Sequence, residues 1–487
     1  MKKLDELLKV LDAKEIKGNT DKHILQIAYD SRKCMPGSLF VAIRGAQFDG
    51  HKFINSALMA GAVAVICEEI PPNFNSTNAA FIKMDNSRAA LAKLSHDWYD
   101  YPLRDMKVIG ITGTNGKTTC SFLLSSVLSE AGYKTGIIGT TGIISAGSRK
   151  DATHTTPESL ELAGIFHAMR RSGTEAVIME VSSHALRQGR IEGMEFDGAL
   201  FTNLTHEHLD YHGTMEEYAK AKKILFSKLK PGGKAIVNGD SEYGRLMSDT
   251  AASCGRNPGN DYKISDERLD FDSGKFMLDG KGNGIELSTK LIGSFNIENA
   301  ALCASFALEC GMMPEKVKAG IAKSDGAPGR MQRYKLENGA LGIIDYAHTP
   351  DALEKALHSC RNVLESSGTG GRLISVFGCG GDRDRAKRPI MGRIASEIAD
   401  IVVITDDNPR TENPAGIMEE ISGGIADENS AKVTMIPGRA NAIKKSYELS
   451  RKGDIILIAG KGHETYQIIG TEKLHFHDAE ELLGASG

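Results

Sequence analysis

The chain has 487 residues, too many for one ordinary hydrophobic core, and the length alone suggests roughly three domains. Apolar residues at 41 % and charged residues at 25 % give the balance of a globular protein, and a formal charge of −4 offers no general attraction for nucleic acid or an anionic membrane. No apolar run approaches the ~20 residues that a membrane span needs, and the eight cysteines form no C-x-x-C pair, which argues against a disulfide framework or zinc site and fits a reducing cytoplasm.

Taken in order, Met1-Lys-Lys-Leu-Asp-Glu-Leu-Leu8 mixes acids into its apolar positions and reads as a surface helix, not a signal peptide. Ser38–Ile43 and Ala62–Cys67 are strand-like, and Tyr101–Asp105 looks like a linker. From Met106 a buried strand, Val108–Ile111, runs into a glycine loop and then a helix over Thr118–Ala131. Ala176–Glu180 and Gly198–Thr202 continue the strand–helix alternation, the pattern of an α/β domain with a largely parallel sheet. The Gly- and Asn-rich stretch around 254–283 is expected to be a surface excursion. Ala327-Pro-Gly-Arg330 marks a second boundary, after which Gly342–Asp345, Leu373–Phe377, Ile401–Thr405 and Asp454–Ala459 read as strands of a second doubly wound sheet. Ligands on such sheets sit beyond the carboxyl ends of the strands, which here carry Asp345, Gly378–Asp382, Asp406–Arg410 and Gly460–Glu464. The expected domains are 1–105, 106–329 and 330–487. The cysteines, among them Cys67, Cys303 and Cys310 in apolar segments, are expected to be buried filler.

Gly113-Thr114-Asn115-Gly116-Lys117-Thr118-Thr119 follows a strand and opens a helix, the context that a phosphate loop requires. Glycines let backbone N–H groups close on phosphate, the helix N-terminus favours the negative charge, and Lys117 reaches the outer phosphates. The Thr118 hydroxyl is placed for Mg²⁺. The usual spacing would put a glycine at 111, where this chain has Ile111. A chance glycine turn is a poor alternative, because Lys-Thr-Thr follows in register.

That loop, with Asp30-Ser-Arg32, Thr155-Thr-Pro157, Glu180–Leu186, His208–Gly213, Asn296-Ile-Glu-Asn299, Gly329–Gln332, Asp345–Pro350 and Asp407-Asn-Pro-Arg410, resembles the Mur ligases over nearly the whole chain. The resemblance implies an α/β chain of three domains: an N-terminal UDP-binding domain, a central P-loop ATPase domain with a mostly parallel sheet, and a C-terminal Rossmann-like domain. It implies ligation of meso-2,6-diaminopimelate to UDP-N-acetylmuramoyl-L-alanyl-D-glutamate with ATP, through an acyl phosphate. Carboxylate and γ-phosphate repel one another as they meet, so metal ions and cations must neutralise the pair.

The resemblance assigns Lys117, Glu180, His208 and Lys222 to catalysis, with Thr118, Glu180, His208 and Lys222 around Mg²⁺ and Lys222 carrying a CO₂-derived carbamate. Read alone, Glu180 is equally a helix cap, His208 a polar turn residue and Lys222 a solvated helix lysine. A carbamate needs a neutral amine, and Lys220 and Lys223 are expected to help lower its pKa. Glu207 stands where the family pattern has Asp. ATP is expected to touch Gly113 to Thr119, Asn296, Asn299, Arg330 and Asp345; the last two flank the 327–334 hinge, whose closure would assemble the site. Ser31, Ala46 and Gln47 would hold the UDP end, and Thr155, Thr156, Ser183, Gln188 and Arg190 the muramoyl-dipeptide. His154 stands where relatives have Asn and is left out.

For the incoming amine, Arg410 supplies a cationic fork for the distal carboxylate that lysine lacks. Arg383, Asp407, Asn408, Pro409, Gly460 and Glu464 complete the pocket by resemblance, with Glu464 pairing the distal ammonium. Gly438 replaces an expected acid before Arg439, and the tail Leu474-His-Phe-His-Asp478 is unusual. A monomer in the cytoplasm, without nucleic-acid or membrane partners, is expected. A lysine-adding ligase, a folate polyglutamate synthase, a P-loop regulatory module and a degenerate paralogue are the alternatives. Arg410 and the 155–157 and 180–184 segments disfavour the first two. The strand-end cluster at 378–384, 406–410 and 460–464 disfavours the third, and the retained Lys117, Glu180, His208 and Lys222 the fourth.

Overall fold

The computed structural model describes residues 1–45, 48–72, 78–270 and 273–487, apart from the side chains of Asp210 and Asn283. It divides into two compact units, one of Met1–Lys117, Gly132–Val237 and Ser241–Ala251, the other of Thr118–Ala131, Asn238–Asp240 and Ala252–Gly487.

In the first unit, Gln26–Ala28, Ser38–Val41, Ala62–Cys67 and Ala80–Lys83 pair in parallel, and Glu15–Lys17 adds an antiparallel edge. The N-terminal helix covers only Leu4–Leu8, with Leu4 and Leu7 buried beneath its acids. A second sheet centres on Lys107–Thr112, flanked in parallel by Ala176–Glu180 and Phe196–Phe201. Val108–Thr112 and Ala176–Glu180 bury both faces, hence their largely β-branched and apolar runs. Gly110 admits Leu225 and Phe196: a Cβ there would lie 2.7 Å from Leu225 Cδ1.

Helix Met215–Ser227 is capped by Thr214, which accepts from the Glu217 N–H, and carries Glu216 and Glu217 in its first turn, where acids suit the helix dipole. Its buried stripe runs Tyr218, Ala219, Ala221, Lys222, Leu225, Phe226. Lys222 thus sits one turn from Tyr218 and from Phe226, at a position that helical spacing normally gives to an apolar residue.

In the second unit, residues 254–283 are not the surface excursion expected from composition. Tyr262–Leu269, Gly274–Gly280 and Asn283–Thr289 form an antiparallel meander joined in parallel by Ala252–Gly255. Tyr262, Ile264, Phe276 and Leu278 alternate inward and are buried, a period-two pattern that the turn glycines Gly259 and Gly282, both at positive φ, had obscured. The last sheet has the order Gln332–Lys335, Leu341–Asp345, Ile455–Ala459, Leu373–Phe377, Ile401–Ile404, Val433–Met435, all parallel but the first. Cys310 corrects the expectation of uniformly buried thiols: it caps the C-terminus of helix Ser294–Glu309, off the buried stripe, and is exposed. Among the described residues no helix is long and apolar enough to cross a membrane.

Phe276→Ala tests the meander. Truncating a buried Phe costs about 3–5 kcal/mol, so the denaturant midpoint should fall markedly; an unchanged midpoint would return the segment to a loosely attached excursion.

Candidate active site

The phosphate loop begins two residues later than the usual spacing because the strand before it runs through Thr112. Ile111 is a buried strand residue paired with Glu180, so position 111 belongs to the sheet and the turn starts at Gly113. Gly113 has φ 150°, and a Cβ there would stand 1.9 Å from the Thr202 hydroxyl. Gly116 also has positive φ, 88°. Asn203 braces the loop, its carbonyl accepting the Thr114 N–H at 2.8 Å and its Oδ1 the Asn115 N–H at 2.9 Å. The Lys117 ammonium folds back onto the Gly113 and Thr114 carbonyls, each at 2.8 Å. Thr118 and Thr119 follow on the first turn of helix Lys117–Glu130, both buried.

Glu180 ends its strand 1 % exposed. Thr140 holds both its oxygens, the backbone N–H donating to Oε1 at 2.9 Å and the hydroxyl to Oε2 at 3.1 Å. Gly139 makes room for it, since a Cβ there would fall 2.2 Å from Oε1. Lys222 is 1 % exposed, with Nζ 4.4 Å from the Tyr218 ring centre. Its pKa is held well below that of an ordinary lysine, first by burial and then by the Lys117 charge, with Glu207 opposing. The expected help from Lys220 and Lys223 does not arise. Lys220 lies on the solvent face and pairs with Glu217 at 2.8 Å, because neighbours two apart on a helix point to different sides. His208 sits at φ 58°, its side chain 45 % exposed, edge-on to His184 at 4.9 Å. Glu207 lies 3.9 Å from its Nε2.

Several residues assigned to the dipeptide serve the scaffold. The Thr156 hydroxyl donates to the Glu180 carbonyl at 2.8 Å and is fully buried. Arg190 donates to the Thr156 carbonyl at 2.8 Å and to Gln188 Oε1 at 3.0 and 2.8 Å, so 156, 188 and 190 form one bonded group. Ser183 bonds His212 Nε2 at 2.9 Å, and burial together with His184 pushes that imidazole down to about 4. The Thr155 hydroxyl meets Thr140 at 3.1 Å. Ser31 is half-buried in a short turn that Asp30 caps. Ala46 and Gln47 lie outside the described residues. His154 is exposed.

In the second unit, Asn296 and Asn299 are buried on helix Ser294–Glu309; Asn299 donates to Asn296 Oδ1 at 3.1 Å, and Asn296 to the Ile292 carbonyl at 2.8 Å. The Cys120 thiol, on the helix that follows the phosphate loop, points at Asn299 Oδ1 at 3.5 Å. Asp345 accepts the Met331 N–H at 2.7 Å and the Ala347 N–H at 2.8 Å. Burial raises its pKa and the Arg330 charge opposes that. Arg330 lies over the Tyr346 ring at 4.8 Å.

The remaining strand ends converge. Arg410, at φ 51°, donates to the Gly381 carbonyl at 2.8 Å, and Asn408 accepts the Gly381 N–H at 2.9 Å. A Cβ on Gly380 would meet Arg410 Nη1 at 2.9 Å and Arg383 Cγ at 3.8 Å, which puts both arginines beside it. Asn408 donates to Glu464 Oε2 at 3.0 Å. Gly460 has φ 118° and leaves space for Asp407, whose Oδ2 would stand 2.7 Å from a Cβ there. Burial raises the Asp407 pKa, against Arg439 and Lys461. The Pro409 carbonyl accepts the Glu412 N–H at 3.1 Å. The two departures in this domain find one explanation: buried Arg439 forms a two-pronged pair with Asp478 at 2.7 and 2.8 Å, and Gly438 gives its N–H to Asp406 at 2.7 Å. Sequence reasoning missed Lys461, fully buried between Asn408 and Glu464; its place right after the strand-end glycine was the available signal.

A magnesium ion fits these donors. Glu180 offers a buried carboxylate, and a neutral Lys222 amine is the form that takes up CO₂. Among the described residues no group of three His, Cys, Asp or Glu side chains gathers at metal-binding distance, so a metal here needs hydroxyl, carbamate or phosphate oxygens as well.

Three family models match the chain: Mur ligase family, catalytic domain, over residues 23–99; Mur ligase middle domain over 111–307; and Mur ligase, glutamate ligase domain, over 329–462. The UDP-N-acetylmuramoyl-L-alanyl-D-glutamate–2,6-diaminopimelate ligase of Clostridium tetani is 41 % identical, covering 99 % of this chain and 98 % of that one. Its namesake in Syntrophomonas wolfei is 40 % identical, with 99 % of each covered. A solved structure of a ligase of that name superimposes with a TM-score of 0.71 at 33 % identity over 98 % of each chain.

Gly113→Ala is expected to keep the fold and weaken ADP binding about ten- to a hundredfold, the cost of a strained φ plus the encounter with Thr202; calorimetry that finds the affinity unchanged would detach the loop from phosphate binding.

Proposed function

The chain belongs to the Mur ligase family, and on that premise we propose that it joins meso-2,6-diaminopimelate to UDP-N-acetylmuramoyl-L-alanyl-D-glutamate, with ATP, in peptidoglycan precursor synthesis. It is an ATP-dependent acid–amino-acid ligase. The observation that carries the choice of amine is the strand-end pair of a guanidinium tied to Gly381 and a carboxylate tied to Asn408. A fixed cation and a fixed anion suit the ammonium and carboxylate at the far end of diaminopimelate.

Residues 1–105 bind the UDP end, through Ser31, Ala46 and Gln47; 106–329 carry the phosphate loop; 330–487 receive the amine. Thr155, Thr156, Ser183, Gln188 and Arg190 shape the muramoyl-dipeptide groove; Arg190 ties Gln188 to Thr156, and Glu180 and His212 hold Thr156 and Ser183 in place. Gly113 to Thr119, Asn296, Asn299, Arg330 and Asp345 bind ATP.

The γ-carboxylate of the glutamyl residue attacks the γ-phosphorus of ATP, and ADP leaves. The diamine then attacks the acyl phosphate, and the tetrahedral adduct expels phosphate. Lys117 neutralises the transferring phosphoryl group, and the N-terminus of helix Lys117–Glu130 orients it. Thr118, Glu180, His208 and the Lys222 carbamate would hold Mg²⁺, which offsets charge on the phosphates when bound. Lys222 supports this role because burial and Lys117 both favour its neutral amine. We assign the reaction to a monomer in the cytoplasm, where ATP and nucleotide-linked sugars are available.

Phosphate release with the UDP-muramoyl-dipeptide and ATP should depend on meso-diaminopimelate and be far slower with L-lysine or L-ornithine; equal rates with lysine would remove the assignment. Arg410→Ala should lower kcat/KM for diaminopimelate roughly ten- to a hundredfold, as expected for a lost charged hydrogen bond, with the KM for ATP unchanged. Under ¹³CO₂ the unmutated protein should give a carbamate carbon resonance that Lys222→Ala lacks; a resonance retained in that variant would place the carbamate elsewhere.

A further inference from the structure

Lysine is almost never fully buried without partners. Lys461 is 0 % exposed and immediately follows Gly460 at the end of strand Ile455–Ala459. Its ammonium donates to Asn408 Oδ1 at 3.1 Å and to Glu464 Oε2 at 3.2 Å, and lies 5.6 Å from the Tyr466 ring centre. An ammonium only donates, so the oxygen of the Asn408 amide must face it. The same oxygen takes the Ile468 N–H at 2.9 Å, and the amide nitrogen is thereby turned to Glu464 Oε2 at 3.0 Å. Both bonds to Glu464 fall on Oε2, and Oε1 takes neither.

We propose that Lys461 is a positioning and specificity-determining residue for the ligation, the buried counter-charge that aims Glu464 and makes the amine pocket prefer a zwitterionic end group. The proposal rests on reading Arg410, Asn408 and Glu464 as that pocket. With Lys461, Arg410 and Arg383 as cations and Glu464 and Asp407 as acids, the latter pushed toward its neutral form by burial, the local balance is at least one cation in excess. The distal end of diaminopimelate brings one ammonium and one carboxylate, a net charge of zero, and each meets its opposite. The end of lysine brings an ammonium alone into a site already rich in positive charge. Specificity is a difference of two affinities, and a fixed like charge is an effective way to make that difference. Arg410 attracts the carboxylate that the correct substrate has; Lys461 adds a penalty for an amine that lacks it. Lys461 touches no substrate in this account and acts through Glu464 and Asn408.

The test measures kcat and KM for meso-diaminopimelate, L-lysine and ATP on the full-length protein and on Lys461→Met, which keeps the length of the side chain and removes its charge. The KM for diaminopimelate should rise about tenfold, as for one charged hydrogen bond, while the KM for ATP holds. The preference for diaminopimelate over lysine in kcat/KM should fall by at least as much. In a Glu464→Gln background the same substitution should change little further, since the two residues act as a unit. If the methionine variant does not fold, Lys461→Gln removes the charge, keeps a donor and gives the same readout. An unchanged preference in a folded variant would overturn the proposal, as would a uniform loss that includes the KM for ATP. Failure of the unmutated protein to ligate diaminopimelate would overturn the functional reading itself, and this proposal with it.

Discussion

Two anions must come within bonding distance before this ligation can begin, and in water their repulsion and hydration keep a carboxylate and a triphosphate apart. Fixed positive charge and backbone dipoles in a water-poor setting are the available remedy, because they need no reorganisation as the new bond forms. That demand explains why the phosphate loop is braced so heavily. Asn203 takes two of its N–H groups, Thr202 blocks any side chain at Gly113, and Lys117 is tethered to its own carbonyls. It also explains a lysine in the buried stripe of a helix. Lys222 beside Lys117 is costly as an ammonium and comfortable as a neutral amine.

The same economy of fixed charge shapes the carboxyl ends of the C-terminal sheet, where buried cations are paired with carboxylates and amides. Arg439 and Asp478 form a buried pair, Lys461 and Asn408 both bond Glu464, and Arg410 is tied to the Gly381 carbonyl. Each charged group is held by a neighbour that itself has little freedom. The departures at Gly438 and in the tail meet in these contacts, Gly438 donating to Asp406 and Asp478 pairing with Arg439.

The strands were legible because buried parallel strands are uninterrupted apolar runs, and Ala176–Glu180 and Leu373–Phe377 fall where those runs predict. The meander at 252–289 was not, because glycines and asparagines at its turns and charged residues along its strands break up the alternation of its inward-facing apolar residues. Glu180 was visible as an acid closing an apolar strand, but nothing in its spacing revealed that Thr140 would grip it or that Gly139 would leave it room. Thr156 and Ser183 look like substrate hydroxyls in sequence, yet their hydrogen bonds run to Glu180 and His212. Burial is what separates Lys222 and Lys461 from surface lysines, and burial depends on elements remote in sequence.

The chemical core of the account is that ATP activates the acceptor's carboxylate as an acyl phosphate. Labelling that carboxylate with ¹⁸O and analysing the phosphate released during ligation tests it most directly. The account predicts one ¹⁸O per phosphate released, with none in ADP. Unlabelled phosphate accompanying ligated product would contradict it.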